Sequence, residues 1–197
     1  MAAGKIQVLA FVGAPAAGKT EAASVARELG IPVVVMGDVI REELKRRGIE
    51  LSDANAGRIA TELRRRHGMD AIAKRCIPYI ERASERAGSE VVVVDGIRGI
   101  AEVEAFKVRF GADFLLVNIH APLFLRYSRL KKRGRGDDSL SLEEFRRREE
   151  REIGWGMGEA MKKASVVIKN EGSLADFKAQ IRELLLRSLS KHKHKQA

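Results

Sequence analysis

The sequence predicts an α/β fold in which helices flank a parallel five-stranded sheet. Apolar runs of strand length alternate with longer amphipathic runs of helix length along the 197 residues. The apolar runs are nearly continuous Val, Ile and Leu, which is typical of strands covered on both faces. Because strands and helices alternate, we expect parallel strands joined by right-handed crossovers.

Each element is predicted from its own stretch of sequence. The predicted strands are Ile6–Val12, Pro32–Met36, Glu90–Asp95, Asp113–His120 and Ser165–Lys169. The predicted helices are about Gly18–Leu29, Val39–Arg47, Asp53–His67, Asp70–Ala87, Ile100–Phe110, Leu123–Lys132, Leu142–Ile153 and Leu174–Leu189. Three of these helices fill residues 39–87, where one would make the crossover, so we interpret this stretch as a substrate-binding insertion. Within it, Pro78 is expected to kink a helix or start one.

Composition indicates an ordinary globular chain, with 45% hydrophobic and 32% charged residues. We predict one domain over residues 1–189, followed by a basic disordered tail over residues 190–197. No apolar run approaches the roughly 20 residues of a membrane span, and the first residues show no signal-peptide pattern. The single cysteine, Cys76, excludes an internal disulfide and indicates no metal cluster. We therefore expect a cytoplasmic protein without a membrane partner.

A glycine-rich segment between the first predicted strand and the first predicted helix matches the P-loop pattern G-x-x-x-x-G-K-[ST]. Glycine lets successive N–H groups point at one centre, and the helix N-terminus adds its positive dipole there. In such a loop, Lys19 reaches the β- and γ-phosphates and the Thr20 hydroxyl binds Mg²⁺. We therefore predict ATP and Mg²⁺ as ligands, with these nucleotide-binding residues: Gly13, Ala14, Pro15, Ala16, Ala17, Gly18, Lys19 and Thr20.

Charged residues also follow the next two predicted strands. Asp38 and Arg41 come just after the second strand, and Asp95 and Arg98 come at the end of the third. Because parallel strands bring their carboxyl ends to one edge of the sheet, these side chains can converge on the P-loop. We expect Asp95 to hold Mg²⁺ together with Thr20. Asp38, Arg41 and Arg98 are the predicted acceptor-binding residues, since two arginines suit a second phosphate.

Residues 131–142 are dense in charge and glycine between two predicted helices, and we interpret them as a short lid. Arginines within and beside this segment can neutralise the negative charge that spreads over a transferring phosphoryl group. The residues to which we assign catalytic roles are Lys19, Arg133, Arg135, Arg148 and Asp95.

Together these residues resemble the nucleoside monophosphate kinase group of P-loop proteins, which includes adenylate kinase. The greatest likeness is to archaeal proteins related to adenylate and dephospho-coenzyme A kinases, and it extends from Ile6 to about Leu186. The resemblance implies phosphoryl transfer from ATP to a nucleoside monophosphate. It also implies that Arg129 contacts ATP and that Gly172 lies in a loop near the adenine ring. Adenylate kinases usually read Asp-Gly-Phe-Pro-Arg where this chain reads Asp-Gly-Ile-Arg, ending at Arg98 and one residue shorter.

Two alternatives remain open at this point. The stretch of residues 166–173 resembles dephospho-coenzyme A kinase, which would make the acceptor a ribose hydroxyl and Asp38 its general base. An RNA-associated P-loop ATPase is the other alternative, because a net charge of +10 suits a polyanion. Only 5% of the residues are aromatic, however, which leaves few platforms for stacking bases. We therefore favour a nucleotide donor and a small phosphorylated acceptor as partners over nucleic acid.

Overall fold

A computed structural model describes residues 6–133 and 141–194 of the chain. Within these ranges, five parallel strands form one sheet in the order β2-β3-β1-β4-β5. The strands are β1 (Gln7–Val12), β2 (Val33–Val35), β3 (Val91–Ile97), β4 (Phe114–His120) and β5 (Val166–Lys169). The predicted α/β class, with a five-stranded parallel sheet flanked by helices, is confirmed.

The helices cover both faces of the sheet. They are α1 (Lys19–Glu28), α2 (Met36–Arg46), α3 (Asp53–His67), α4 (Ala71–Ala87), α5 (Ile100–Phe110), α6 (Leu123–Arg133), α7 (Leu142–Gly154), α8 (Met157–Lys162) and α9 (Leu174–His194). A short 3₁₀ turn, Gly111–Asp113, precedes β4.

The core has two layers, one on each side of the sheet. Val8, Ala10 and Val12 of β1 belong to the layer under α2, α3, α4 and α5. Leu9 and Phe11 point to the opposite layer, which includes α1 and α9. Successive residues of a strand point to opposite faces, so this alternation is what a sheet buried on both sides requires.

Strand β3 runs two residues beyond its predicted end at Asp95. Phe11 pairs with Asp95 and the next residue, Val12, pairs with Ile97, so Gly96 is an extra residue in the ladder. Gly96 has φ +106°, a conformation that side chains disfavour. A bulge of this kind bends the strand end locally, and here it lies between the Asp95 and Arg98 of the predicted site.

Two helices differ from the prediction at their ends. Helix α2 begins at Met36, directly after β2, whereas the sequence predicted a strand through Met36 and a helix from Val39. Helix α9 continues to His194, so the predicted disordered tail was wrong for residues 190–194, and residues 195–197 lie outside the described part. Lysine is a good helix former and is favourable near a helix C-terminus, which explains the extension.

Helix α4 extends through Pro78 without starting or ending there. Helix α8 was not predicted, because it begins within the glycine-rich stretch 154–158 and its six residues are too few to show a helical period. Among the described residues, no helix is both long enough and apolar enough to cross a membrane.

Candidate active site

The P-loop lies between β1 and α1, as its sequence predicted. Gly18 immediately precedes α1 with φ +115°. A Cβ atom on Gly18 would lie 2.3 Å from the Asn170 side-chain nitrogen, so glycine is required by both conformation and space. Gly13, Ala14 and Ala17 are buried within the loop. The P-loop is therefore packed closely against Asn170 and Phe177.

The Lys19 ammonium lies over the P-loop. Its Nζ donates hydrogen bonds to the Gly13 carbonyl at 2.5 Å and to the Ala14 carbonyl at 3.1 Å. Burial lowers the pKa of Lys19 to about 8, while the nearby carboxylates of Glu152 and Asp95 act in the opposite direction. An anionic ligand in the loop would act as those carboxylates do and favour the charged form.

A cleft of about 780 Å³ joins the P-loop to the predicted acceptor residues. Its predicted lining residues are Pro15, Ala16, Gly18, Lys19, Thr20, Asp38, Arg41, Asp95, Arg98, Arg129, Arg148 and Gly172. The structure thus brings both halves of the predicted site to one cavity. Arg135 lies outside the described residues, as do most of the predicted lid and the side chain of Arg133.

Thr20 and Asp95 are the predicted residues that could hold a magnesium ion. Thr20 is in the first turn of α1, and Asp95 lies on the neighbouring strand β3 with 6% of its surface exposed. Both side chains line the cleft beside Lys19. Hydroxyl and carboxylate oxygens are the ligands that Mg²⁺ prefers, so the donor set fits this ion.

Asp38 and Arg41 form an ion pair with each other in the first turns of α2. Their side chains are 56% and 44% exposed, respectively, so both remain accessible from the cleft. The early start of α2 at Met36 places Asp38 near the helix N-terminus, where the helix dipole stabilises a carboxylate.

Glu152, near the end of α7, is a site residue that the sequence analysis missed. It is 1% exposed and lines the cleft. Its carboxylate accepts a hydrogen bond from the Arg98 guanidinium and lies 3.4 Å from Nε of Arg148. Burial alone would raise the pKa of Glu152, but the positive charges of Arg98, Arg148 and Lys19 bring it below its ordinary value.

Asn170, which directly follows β5, connects the P-loop to Arg129. Its Nδ2 donates to the Ala17 carbonyl at 2.8 Å. Nη2 of Arg129 donates to the main-chain oxygen of Asn170 at 3.0 Å and to its Oδ1 at 3.1 Å. Nη1 of Arg129 is buried and has no hydrogen-bond partner among the described residues. Since Arg129 lines the cleft, this donor suits an oxygen of a bound nucleotide.

Arg126, on α6, also supports the P-loop. It is 5% exposed and donates to the Pro15 carbonyl at 3.2 Å and to the Ala121 carbonyl at 3.0 Å. Its remaining nitrogen pairs with Glu149 of α7 at 2.8 Å. Arg126 therefore connects α7 to the nucleotide loop.

A smaller cavity of about 60 Å³ adjoins the cleft beneath the insertion. Gly37, Arg41, Gly96, Arg98 and Arg148 line both cavities. The rest of its lining is mostly apolar and comes largely from α2, α3 and α4. The insertion of residues 39–87 therefore forms about half of the wall of this cavity.

A buried ion pair, Arg64–Glu102, lines the small cavity. Arg64 donates to Glu102 at 2.7 Å, and both side chains are at most 2% exposed. The Arg64 guanidinium also lies 4.1 Å from the centre of the Trp155 ring, a cation–π contact. Trp155 is 8% exposed, in agreement with the packing role that its surroundings suggest.

Relatives of known sequence place the chain in a family. A family model described as an AAA domain matches residues 12–146. A UPF0200/UPF0201 protein of Archaeoglobus fulgidus is 56% identical over 183 residues, which are 93% of this chain and 56% of that protein. A UPF0200 protein of Methanosarcina mazei is 52% identical over 180 residues, which are 91% of this chain and 94% of its own. The chain belongs to the UPF0200 family.

The fold of this UPF0200 chain recurs among solved structures. TT1252 from Thermus thermophilus matches with TM-score 0.64 and 22% identity, covering 92% of this chain and 97% of its own. A dephospho-CoA kinase from Campylobacter jejuni gives TM-score 0.58 and 18% identity, covering 94% of this chain and 98% of the kinase. A shikimate kinase from Acinetobacter baumannii gives TM-score 0.54 and 18% identity, covering 92% of this chain and 94% of that kinase. At these identities the likeness shows the fold alone, which is that of P-loop kinase-like domains.

Proposed function

We propose that this chain is an ATP-dependent phosphotransferase that acts on a small phosphorylated acceptor, and that the acceptor is a nucleoside monophosphate. The supporting observation is that the P-loop and the charged groups Asp38, Arg41 and Arg98 line a single cleft of about 780 Å³. Phosphoryl transfer depends mainly on positioning and charge neutralisation, and such a cleft offers both. Chains of the same fold bear the names dephospho-CoA kinase and shikimate kinase, which is consistent with this activity.

On the donor side, the backbone N–H groups of residues 13–20, apart from Pro15, and the Lys19 ammonium bind the triphosphate. Arg129 offers its unpartnered Nη1, and Gly172 lines the cleft on the same side as Asn170. Thr20 and Asp95 hold Mg²⁺, which when bound neutralises phosphate charge.

On the acceptor side, Arg41 and Arg98 bind the phosphate and Asp38 orients Arg41 through their ion pair. A phosphate oxygen is already anionic, so this acceptor needs no general base. Lys19 and Arg148 stabilise the charge of the transferring group from within the cleft. Arg133 and Arg135 are proposed to add to this from the lid.

A mass-spectrometric assay with ATP and a panel of monophosphates tests the proposal. The wild type should yield a product heavier by one phosphate from at least one acceptor. Lys19→Ala should lower that turnover by about a hundredfold or more, the loss typical of a charge-stabilising donor. Lys107→Ala is the control, because Lys107 is an exposed lysine on α5. Undiminished turnover in Lys19→Ala would exclude Lys19 from the reaction.

A hydroxyl acceptor is the second candidate, and the exposed carboxylate of Asp38 in the cleft favours it. A hydroxyl must lose its proton during transfer, and Asp38 can accept it. Adding dephospho-coenzyme A and other alcohols to the same panel separates the candidates. With a hydroxyl acceptor, Asp38→Asn should lower the rate by about 10²–10⁴, whereas a monophosphate acceptor should not need this base.

A further inference from the structure

We propose that Glu152 determines which anions the acceptor side admits, because its carboxylate occupies the arginine site that an acceptor's oxyanion would use. The inference builds on the proposed function and identifies a residue that sets its specificity. In this view Glu152 competes with the acceptor for Arg98 and Arg148.

The geometry supports this competition. Glu152 is 1% exposed, yet its carboxylate reaches across from α7 to the Arg98 side chain, 54 residues away in sequence. It also pairs with Arg148, one helical turn earlier. All three side chains line the cleft that contains Lys19, and the Glu152 charge acts on Lys19 more strongly than any other charge does. The carboxylate therefore lies among the cations of the transfer site.

A carboxylate and a phosphate present similar oxygen pairs to a guanidinium, so they bind arginine in the same way. Two anions at one site repel each other, and the repulsion is strong where water is excluded. An acceptor's oxyanion at Arg98 must therefore displace Glu152 or bind against its charge. A neutral part of the acceptor meets no such barrier.

The two arginines are arranged so that they can exchange partners. The Arg98 side chain is 29% exposed, and its backbone N–H is held separately by Glu102 at 2.8 Å. Its guanidinium can therefore turn toward a ligand while the main chain stays in place. Arg148 has a second carboxylate, Asp53, 3.4 Å from its Nε, which remains when Glu152 moves away.

The same helix supplies a matched control. Glu143 also pairs with an arginine, Arg147, but both side chains are exposed and Glu143 lines neither cavity described above. Glu143→Gln removes one carboxylate from the same helix at a position away from the acceptor side and the P-loop. This variant therefore separates a local effect at Arg98 from a general effect of one fewer carboxylate.

The experiment uses the full chain and calorimetry with inorganic phosphate, AMP and adenosine as probes. We expect Glu152→Gln to bind phosphate and AMP at least tenfold more tightly than the wild type, with no change for adenosine. Glu143→Gln should match the wild type for all three probes. The gain should vanish in the double variant Glu152→Gln/Arg98→Ala, which ties it to this arginine and not to the P-loop. Unchanged or weaker phosphate and AMP binding in Glu152→Gln would overturn the inference.

Arg98 and the buried Arg148 lose a counterion in Glu152→Gln, and this variant is at risk of unfolding. Glu152→Asp keeps the charge on a shorter side chain and holds the arginines less closely. We expect phosphate to raise the melting temperature of Glu152→Asp more than that of the wild type. Equal shifts in these two proteins would contradict the competition.

Phosphate binding and phosphoryl transfer are measured in separate experiments, so the two proposals can fail independently. If Glu152→Gln gains phosphate affinity but neither it nor the wild type phosphorylates any acceptor, the anion competition stands and the kinase function fails. If the wild type yields product and Glu152→Gln shows no gain in affinity, the function stands and the role of Glu152 falls.

Discussion

Lys19 is the single residue from which we expect a pH dependence of nucleotide binding. Burial lowers its pKa to about 8, so the empty site loses this charge as the pH rises through that value. A bound phosphate favours the charged form, so binding should take up a proton near pH 8–9. The affinity for ATP should then fall with rising pH, by at most about tenfold per unit.

Calorimetry at pH 8.5 in two buffers of different ionisation heat measures this proton uptake. Lys19→Arg is the control, because an arginine stays charged throughout the range. Equal ATP affinity of the wild type at pH 7 and pH 9.5 would show that Lys19 does not titrate there.

Asn170 is expected to matter for both stability and binding. Asn170→Ala leaves the Ala17 carbonyl without its side-chain donor and removes one acceptor of Arg129. Loss of a buried hydrogen-bond partner costs about 1–3 kcal/mol, so thermal unfolding should occur several degrees lower. The affinity for ATP should also fall, because the contacts of Asn170 with Ala17 and Arg129 lie at the nucleotide side of the cleft. The neighbouring variant Glu171→Ala, at an exposed side chain, should change neither quantity.

Site residues with partners nearby in sequence were predicted, whereas residues whose partners are distant in sequence were missed. The P-loop was predictable because its pattern is local and its strand and helix are adjacent in sequence. The partners of Arg126, Glu152 and Asn170 lie 111, 54 and 153 residues away. In the sequence, Glu152 is one charge in a run of arginines and glutamates, which is also typical of an exposed helix face. Only the contact of Glu152 with Arg98, which directly follows β3, distinguishes it.

At the scale of elements, apolar runs predicted the strands because the sheet is buried on both faces. Periodicity did not reveal the bulge at Gly96, since one extra residue in a ladder depends on the neighbouring strand. It also did not predict α8, whose six residues begin after Gly156 in a left-handed conformation. In both cases tertiary contacts decide the local structure.

The turn between α7 and α8 packs closely against the start of α5. A Cβ atom on Gly99 would lie 2.4 Å from the Trp155 carbonyl oxygen, which is backbone and cannot rotate away. Gly99→Ala should therefore destabilise the protein by about 1–3 kcal/mol, the usual cost of overpacking. Thermal unfolding measures the loss.

Gly158 in α8 is the matched control for Gly99. A Cβ atom there meets nothing within 4 Å, and alanine is the better helix former. Gly158→Ala should be neutral or stabilise by up to about 1 kcal/mol. If both alanine variants unfold at the wild-type temperature, the close contact at Trp155 does not constrain the turn.

At the scale of the whole molecule, nucleotide binding should appear as added stability. A ligand whose free concentration is about a hundred times its dissociation constant stabilises a folded protein by about 2.7 kcal/mol. For a chain of this size, that corresponds to a rise in melting temperature of about 5–10 °C. We expect this rise with MgATP in the wild type and not in Lys19→Ala. No rise with either MgATP or MgGTP would contradict the nucleotide site.

The net charge of +10 also belongs to the whole molecule, and it kept the RNA alternative open in the sequence analysis. Many of the described arginines already have carboxylate partners, among them Arg47, Arg64, Arg98, Arg126, Arg148 and Arg151. These ion pairs offset much of the charge of the arginines, which therefore do not by themselves indicate a polyanion as partner.

The contact between Asn170 and the P-loop has a consequence for synthesis on the ribosome. The nucleotide loop is made within the first 20 residues, but Asn170, which donates to the Ala17 carbonyl, comes 153 residues after Ala17. Phe177, Ile181 and Leu185 of α9 complete the core layer that also contains Leu9 and Phe11. At about 5–20 residues per second, the nascent chain spends on the order of ten seconds without this support. ATP should therefore be captured only once residues up to about 185 have left the exit tunnel.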